Sequence, residues 1–147
     1  MMASSRFAVA VHVLALLARA GDVPVKSGEI ARSVNTNPVV IRRILCALSR
    51  ARLVVAQRGA SGGAQLARTP ARIKLSEVYR AVECGSPFSL HPAPLRRCAV
   101  GRNICAVLER VQGEVEGAIE RALAKISLQD VLDELQACGA QGAKRDR

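Results

Sequence analysis

Arginine is the side chain in this protein best suited to specific chemistry, because its planar fork of donors matches phosphate oxygens and the guanine edge. Several arginines fall within residues 26–50, KSGEIARSVNTNPVVIRRILCALSR. At about 100° per residue, Ile41, Ile44, Leu45 and Leu48 gather on one face of a helix. Val39, Arg43, Cys46 and Arg50 point the opposite way, with Arg42 at the flank. Such a helix can pack its apolar back on neighbours and offer a basic front to a major groove about 12 Å wide. The competing reading is a surface helix of a small bundle with solvated arginines.

Neighbouring elements must hold that helix in place. Ser27 is read as the cap of a preceding helix whose apolar stripe is Ile30, Ala31 and Val34. The segment 35–38, NTNP, breaks it, and Asn37 caps the next helix with Pro38 at its first position, where a missing N–H costs nothing. After these, LVVAQ (53–57), RGASGG (58–63) and AQLAR (64–68) read as a hairpin. Two helices and a hairpin make a winged helix-turn-helix. Gly59, Gly62 and Gly63, with Ser61 at the tip, let the loop approach a DNA backbone closely, and Arg58 and Arg68 flank it. A solvent-exposed hairpin without such a contact is the alternative.

Composition narrows the class. At 147 residues, half of them apolar, the chain is one domain with at most a small appendage. Two Phe, one Tyr and no Trp argue against single-stranded nucleic acid, which is bound by stacking bases on aromatic rings. Residues 1–75 carry twelve Lys/Arg and two Asp/Glu, whereas 76–147 carry ten of each, so the whole excess of +10 lies in the first half. A basic half beside a neutral one suggests that one half meets a polyanion. Five cysteines, at 46, 84, 98, 105 and 138, form no CxxC pair, so reduced thiols in a cytoplasm are expected. With two histidines, no nucleophile motif and no phosphate loop, nothing assembles a catalytic set.

Residues 7–18, FAVAVHVLALLA, carry no charge. The run is shorter than the roughly 20 residues a membrane span needs, and His12 spoils its likeness to a secretory signal. A helix apolar all round is expected to be buried on all sides, against its own domain and a second subunit. Ser4 or Ser5 would cap it beside Arg6, leaving free N–H groups where a phosphate could sit. Farther on, Thr69-Pro70 ends the hairpin and Ser76 caps SEVYRAVE. Residues 85–97, with three prolines, form a connection. From about 98 to 126 apolar residues at 3–4 spacing predict one long helix, too greasy along one stripe for a small domain to cover. Gly113 and Gly117 within it would permit close approach of two backbones. Ser127 with Asp130 predicts a capping box for a last helix to about Gln136. The expected architecture is mainly α with a small β-hairpin wing: a DNA-binding unit (1–83), a linker (84–97), dimerisation helices (98–136) and a flexible tail (137–147).

These segments carry a resemblance. SRFAVAVHVLALLA, SVNTNPVVIRRIL, RGASGGAQLAR, IKLSEVYRAVE and CAVG at the head of the long helix are similar, over roughly residues 4–136, to the Rrf-two family of bacterial winged-helix regulators. That family includes the iron–sulfur cluster assembly regulator, the nitric-oxide-sensitive repressor and the cysteine-metabolism repressor. The resemblance implies a homodimeric repressor of double-stranded DNA, with paired long helices and the first helix reaching between subunits. It further implies that Asn37, Val39, Val40, Arg42 and Arg43 face the major groove and that Arg58 and the adjacent glycines serve the wing. Well-known members hold an iron–sulfur cluster on three cysteines just before the long helix. Here Cys98 matches the last of them, residues 85–97 contain none, and Gly101 stands where the motif continues to a histidine. His12 matches a ligand position of one variant, but Ala8 replaces its acidic partner. The closer resemblance is to a cluster-free subgroup, through His91, Pro92, Pro94, Cys98, Val100 and Gly101, so no cofactor and no metal site are expected.

Cys98, at the start of a helix beside Arg96, Arg97 and Arg102, is the candidate redox thiol, with a buried inert cysteine as the alternative. Cys105 would lie about 10 Å along the same helix axis, too far for an internal disulfide, which leaves Cys84 or a partner chain. Oxidation of Cys46 could block DNA binding, although a small spacer is the simpler role. His91 reads as a solvated loop histidine. The leading expectation is a dimeric DNA-binding regulator, with no membrane partner; a thiol- or iron–sulfur-based sensor and a non-DNA-binding interaction module are the competing readings.

Overall fold

The computed structural model describes residues 4–83 and 85–145. Its elements are α1 (Arg6–Ala20), α2 (Ser27–Val34), α3 (Pro38–Arg50), β1 (Val54–Gln57), β2 (Gly63–Leu66), a 3-10 turn (Pro70–Arg72), α4 (Leu75–Val82), α5 (Ala99–Leu123) and α6 (Leu128–Arg145). This is the expected mainly α architecture with a two-stranded wing. The strands pair antiparallel from Val54 opposite Leu66 to Gln57 opposite Gly63.

The core is aliphatic, as the shortage of aromatics requires. Leu14 and Leu17 of α1, Ile30 of α2, Ile41, Ile44 and Leu48 of α3, and Val78 and Val82 of α4 are essentially inaccessible. Leu128, at the start of α6, joins the same cluster. The end of the chain thus returns to the first half, through an antiparallel bridge between Lys74 and Ser127. The capping box at α6 forms as expected: Ser127 N–H donates to Asp130 Oδ2 at 2.7 Å, and Asp130 N–H donates to Ser127 Oγ at 3.2 Å.

Three local expectations are corrected. Lys26, not Ser27, is the cap residue of α2, and Ser27 makes no capping bond. The reason lies next door: Val25 is bridged to Ala64 of the wing, so the chain stays extended through Lys26 before it can turn helical. In the same way Lys74 precedes α4 in extended form because it pairs with Ser127, and Ser76 falls inside the first turn, buried. The N–H of Lys74 is met by Glu77 Oε2 at 3.0 Å. Helix α1 is covered by its own domain on one side, and Ala8, His12 and Arg19 remain exposed. Small side chains at Ala8, Ala15 and Ala18 leave a groove of about 880 Å³ between α1 and α6. Finally, α6 does not stop near Gln136 but continues to Arg145. No proline intervenes in that stretch, and single glycines cost a helix only about 1 kcal/mol each.

Helix α5 has 25 residues, none of them buried. Val100, Val107 and Val111 remain exposed at 67%, 45% and 37%, while Ile104, Leu108, Val115 and Ile119 are half-buried, so the rest of the chain covers its apolar stripe only in part. Among the described residues, no helix is long and apolar enough to cross a membrane.

Because Leu48 is fully buried, Leu48→Ala should lower stability by about 2–5 kcal/mol. Val39→Ala, on the opposite face, should cost under about 0.5 kcal/mol; urea unfolding of both variants checks the orientation of α3.

Candidate nucleic-acid interface

Helix α3 is positioned from its start and from behind. At its start, Asn37 Oδ1 accepts the N–H of Val39 at 2.8 Å with Pro38 in the first turn, as the sequence predicts. Behind, Ile41, Ile44, Leu45 and Leu48 are buried. What remains outside is Val39, Val40, Arg42, Arg43, Cys46 and Arg50, all exposed. The turn from α2 into α3 is tight because Asn35 adopts the left-handed conformation, φ +57°, that closes α2, a region asparagine tolerates better than most residues.

The wing is fastened beside this face by two contacts. First, β2 lies against the chain entering α2: Ala64 N–H donates to Val25 O at 2.9 Å, and Val25 N–H donates to Ala64 O at 3.0 Å. A Cβ on Gly63 would come within 2.8 Å of the Val25 carbonyl, and one on Gly62 within 2.4 Å of Gln57 O. These two glycines therefore admit the protein's own backbone, a different use from the approach to DNA that the sequence suggested. Gly62 is buried, whereas Arg58, Gly59 and Ser61 are exposed at the loop. Second, Arg68 does not reach outward. Its guanidinium binds Glu77 Oε1 at 2.9 Å and the Arg72 carbonyl at 3.3 Å, tying the base of the wing to α4. Burial raises the Glu77 pKa, but the Lys74 N–H and the Arg68 guanidinium that bind the carboxylate, with the charges of Arg68 and Arg80, outweigh it and hold the group below its ordinary value.

A cleft of about 400 Å³ runs between α3 and the wing, lined by Ser27, Arg42, Cys46, Ser49, Arg50 and Gln57 over a floor of Val25, Leu45, Ala56 and Ala64. Ser49 and Gln57 were not singled out by the sequence. Only the pairing of β1 with β2 and the packing on α3 bring them together.

The start of α1 is less open than its sequence implied. Arg6 N–H donates to Ser4 Oγ at 3.2 Å, and Phe7 N–H donates to Glu83 Oε1 at 3.1 Å. A carboxylate from far along the chain thus already occupies the place proposed for a phosphate. Arg6 can therefore offer only its side chain, which is exposed, as is that of Ser5.

With that geometry, the comparisons are decisive. The family model described as an iron-dependent transcriptional regulator, Rrf2, matches residues 3–134. The chain belongs to the Rrf2 family. It is 42% identical over 135 residues to YwnA of Bacillus subtilis (strain 168), whose name assigns it to the HTH-type transcriptional regulators, covering 91% of this chain and 99% of YwnA. A crystal structure assigned to DNA binding aligns with a TM-score of 0.70 at 41% identity, over 87% of this chain and 99% of that one. IscR from T. potens aligns with a TM-score of 0.66 at 26% identity, over 92% and 88% of the two chains. The family is one of transcriptional regulators rather than enzymes.

The family's description names iron. Among the described residues, no three His, Cys, Asp or Glu converge where a metal ion could sit. Cys98 is the cap residue of α5, exposed, and the N–H groups of Gly101 and Val100 at the helix start lower its pKa and favour the thiolate. A Cβ on Gly101 would lie 2.4 Å from the Leu95 carbonyl, so no ligand-bearing side chain fits at that position. His12 Nε2 instead shares a hydrogen bond with Ser33 Oγ at 3.2 Å, and His91 is exposed. Cys46, Cys98, Cys105 and Cys138 are free thiols; the proposed pairing of Cys98 with Cys84 falls on a residue outside the described ones.

A carboxylate whose pKa is depressed by folding adds stability above its unfolded value and loses it as pH falls through the folded one. For Glu77 that loss begins below the ordinary 4.5. Wild-type melting temperature should therefore fall more steeply than that of Glu77→Gln on acidification below this value, and parallel curves would show that the Arg68 link adds nothing.

Proposed function

We propose that the protein is a homodimeric, sequence-specific repressor of double-stranded DNA, acting in the cytoplasm and working without an iron–sulfur cluster. One observation carries the reading: α3 buries its apolar back while leaving Val39, Val40, Arg42 and Arg43 exposed beside a wing that presents Arg58. In the major groove, the valines suit thymine methyl groups and either arginine suits the two acceptors of guanine. Asn37 spends its carbonyl oxygen on the cap and keeps only its amide N–H groups for DNA. Arg58, Gly59 and Ser61 are the wing residues free to meet the backbone or minor groove, while Gly62 and Gly63 hold the loop in shape.

Dimerisation is supported by α5. A 25-residue helix without a fully buried residue leaves part of its apolar stripe in water unless another surface covers it. Gly113 has open space where a side chain would stand, which allows a second backbone to approach. A two-fold pair would present two α3 helices to half-sites about one helical turn, 34–36 Å, apart. Bound at a promoter, such a dimer blocks access to it. Regulation without a cluster is supported by the sequence before α5, where residues 85–97 hold no cysteine, and by Gly101, whose position against the Leu95 carbonyl admits no ligand-bearing side chain.

Arg43→Ala or Arg42→Ala should weaken binding to a duplex selected by the wild-type protein by about 1–3 kcal/mol. Unchanged affinity for both in a gel-shift titration would remove α3 from the major groove. Anaerobically purified protein should lack visible absorption and contain no stoichiometric iron or sulfide; finding them would overturn the cluster-free reading.

A further inference from the structure

We infer that the cleft between α3 and the wing seats one backbone phosphate of the bound duplex, gripped by Arg50 from the helix and Gln57 from the wing. The inference rests on the DNA-binding reading above and adds an anchoring site to it. No acidic side chain lines the cleft, and its polar rim is Ser27, Arg42, Ser49, Arg50 and Gln57. Among the described residues, the ion pairs are Arg68–Glu77 and Arg80–Glu120, so neither Arg42 nor Arg50 has a carboxylate partner. A phosphate group, a few times the roughly 30 Å³ of a water molecule, fits within about 400 Å³.

Helix geometry decides which arginine takes it. Arg42, Cys46 and Arg50 recur every fourth residue and so line one edge of α3. At 1.5 Å per residue, Arg50 lies about 12 Å beyond Arg42 along the axis. A recognition helix meets base edges with its first residues. When Arg42 is among them, Arg50 is two turns away, in a groove only about 12 Å wide whose walls are phosphate. The opposite side of the cleft is rigid, because Gln57 pairs with Gly63, which is itself pressed against Val25. A phosphate held there would lock helix and wing to the same strand and fix the register in which Arg42 and Arg43 read.

The test uses duplexes selected from a random library by the full-length wild-type protein. Arg50 is exposed, so Arg50→Ala should keep the wild-type melting curve. It should bind every selected duplex about tenfold more weakly at 0.1 M salt, with the slope of log affinity against log salt shallower by about one and base preference unchanged. Gln57→Ala should weaken binding without changing that slope, since glutamine carries no charge. Replacing phosphates one at a time by neutral methylphosphonates should reveal a position where wild type loses affinity and Arg50→Ala does not. An unchanged salt slope, an altered base preference, or identical methylphosphonate profiles for the two proteins would overturn the inference while leaving DNA binding intact. Failure of the wild type to select any duplex would overturn both.

Discussion

The burial of Ile41, Ile44, Leu45 and Leu48 is the constraint on which the interface depends. Each fully buried aliphatic side chain contributes about 1.5–3 kcal/mol, and together they leave α3 a single way to lie on α1, α2 and α4. The arginines have no say in that choice. They face outward because the other side of the helix is committed to the core, which makes a fixed basic surface at no cost in flexibility.

A rigid helix reads DNA only if its flanks are rigid too, and here backbone and charge share that work. Gly63 lets β2 come up against Val25 so that the wing is hydrogen-bonded to the approach of α2. Arg68 and Glu77 tie the other side of the wing to α4, and the same Glu77 carboxylate receives the N–H of Lys74 at the start of that helix. One carboxylate thereby links the wing, α4 and, through the Lys74–Ser127 bridge, the beginning of α6. Two arginines near the wing thus have opposite fates. Arg58 stays exposed at the loop, while Arg68 is spent inside the protein.

Helix α5 presents the complementary problem. Its stripe was legible from spacing, and the structure covers it only in part, with Val100, Val107 and Val111 in solvent. The helix is nonetheless held at defined points: Arg80 reaches Glu120 at 3.3 Å, Ser86 Oγ donates to Glu116 at 2.7 Å, and Gln112 donates to the Phe88 carbonyl. Since α4 packs against α1, α3 and α5 alike, any surface that covers α5 is mechanically continuous with the surface that carries the arginines.

The sequence alone determined what depends on near neighbours. The faces of α3, its Asn37–Pro38 start, the Ser127–Asp130 capping box, the hairpin and the length of α5 follow from periodicity and caps, which act over three or four residues. Tertiary structure decided what depends on distant ones. Glu83 closes the start of α1, Glu77 withdraws Arg68 from DNA, and the bridges at Val25 and Lys74 shift two helix starts by keeping the preceding residues extended. The cleft that joins Arg50 to Gln57 exists only because β1 folds back beside α3. Local preference sets the direction a side chain leaves its own helix, but only the packed chain sets what it meets.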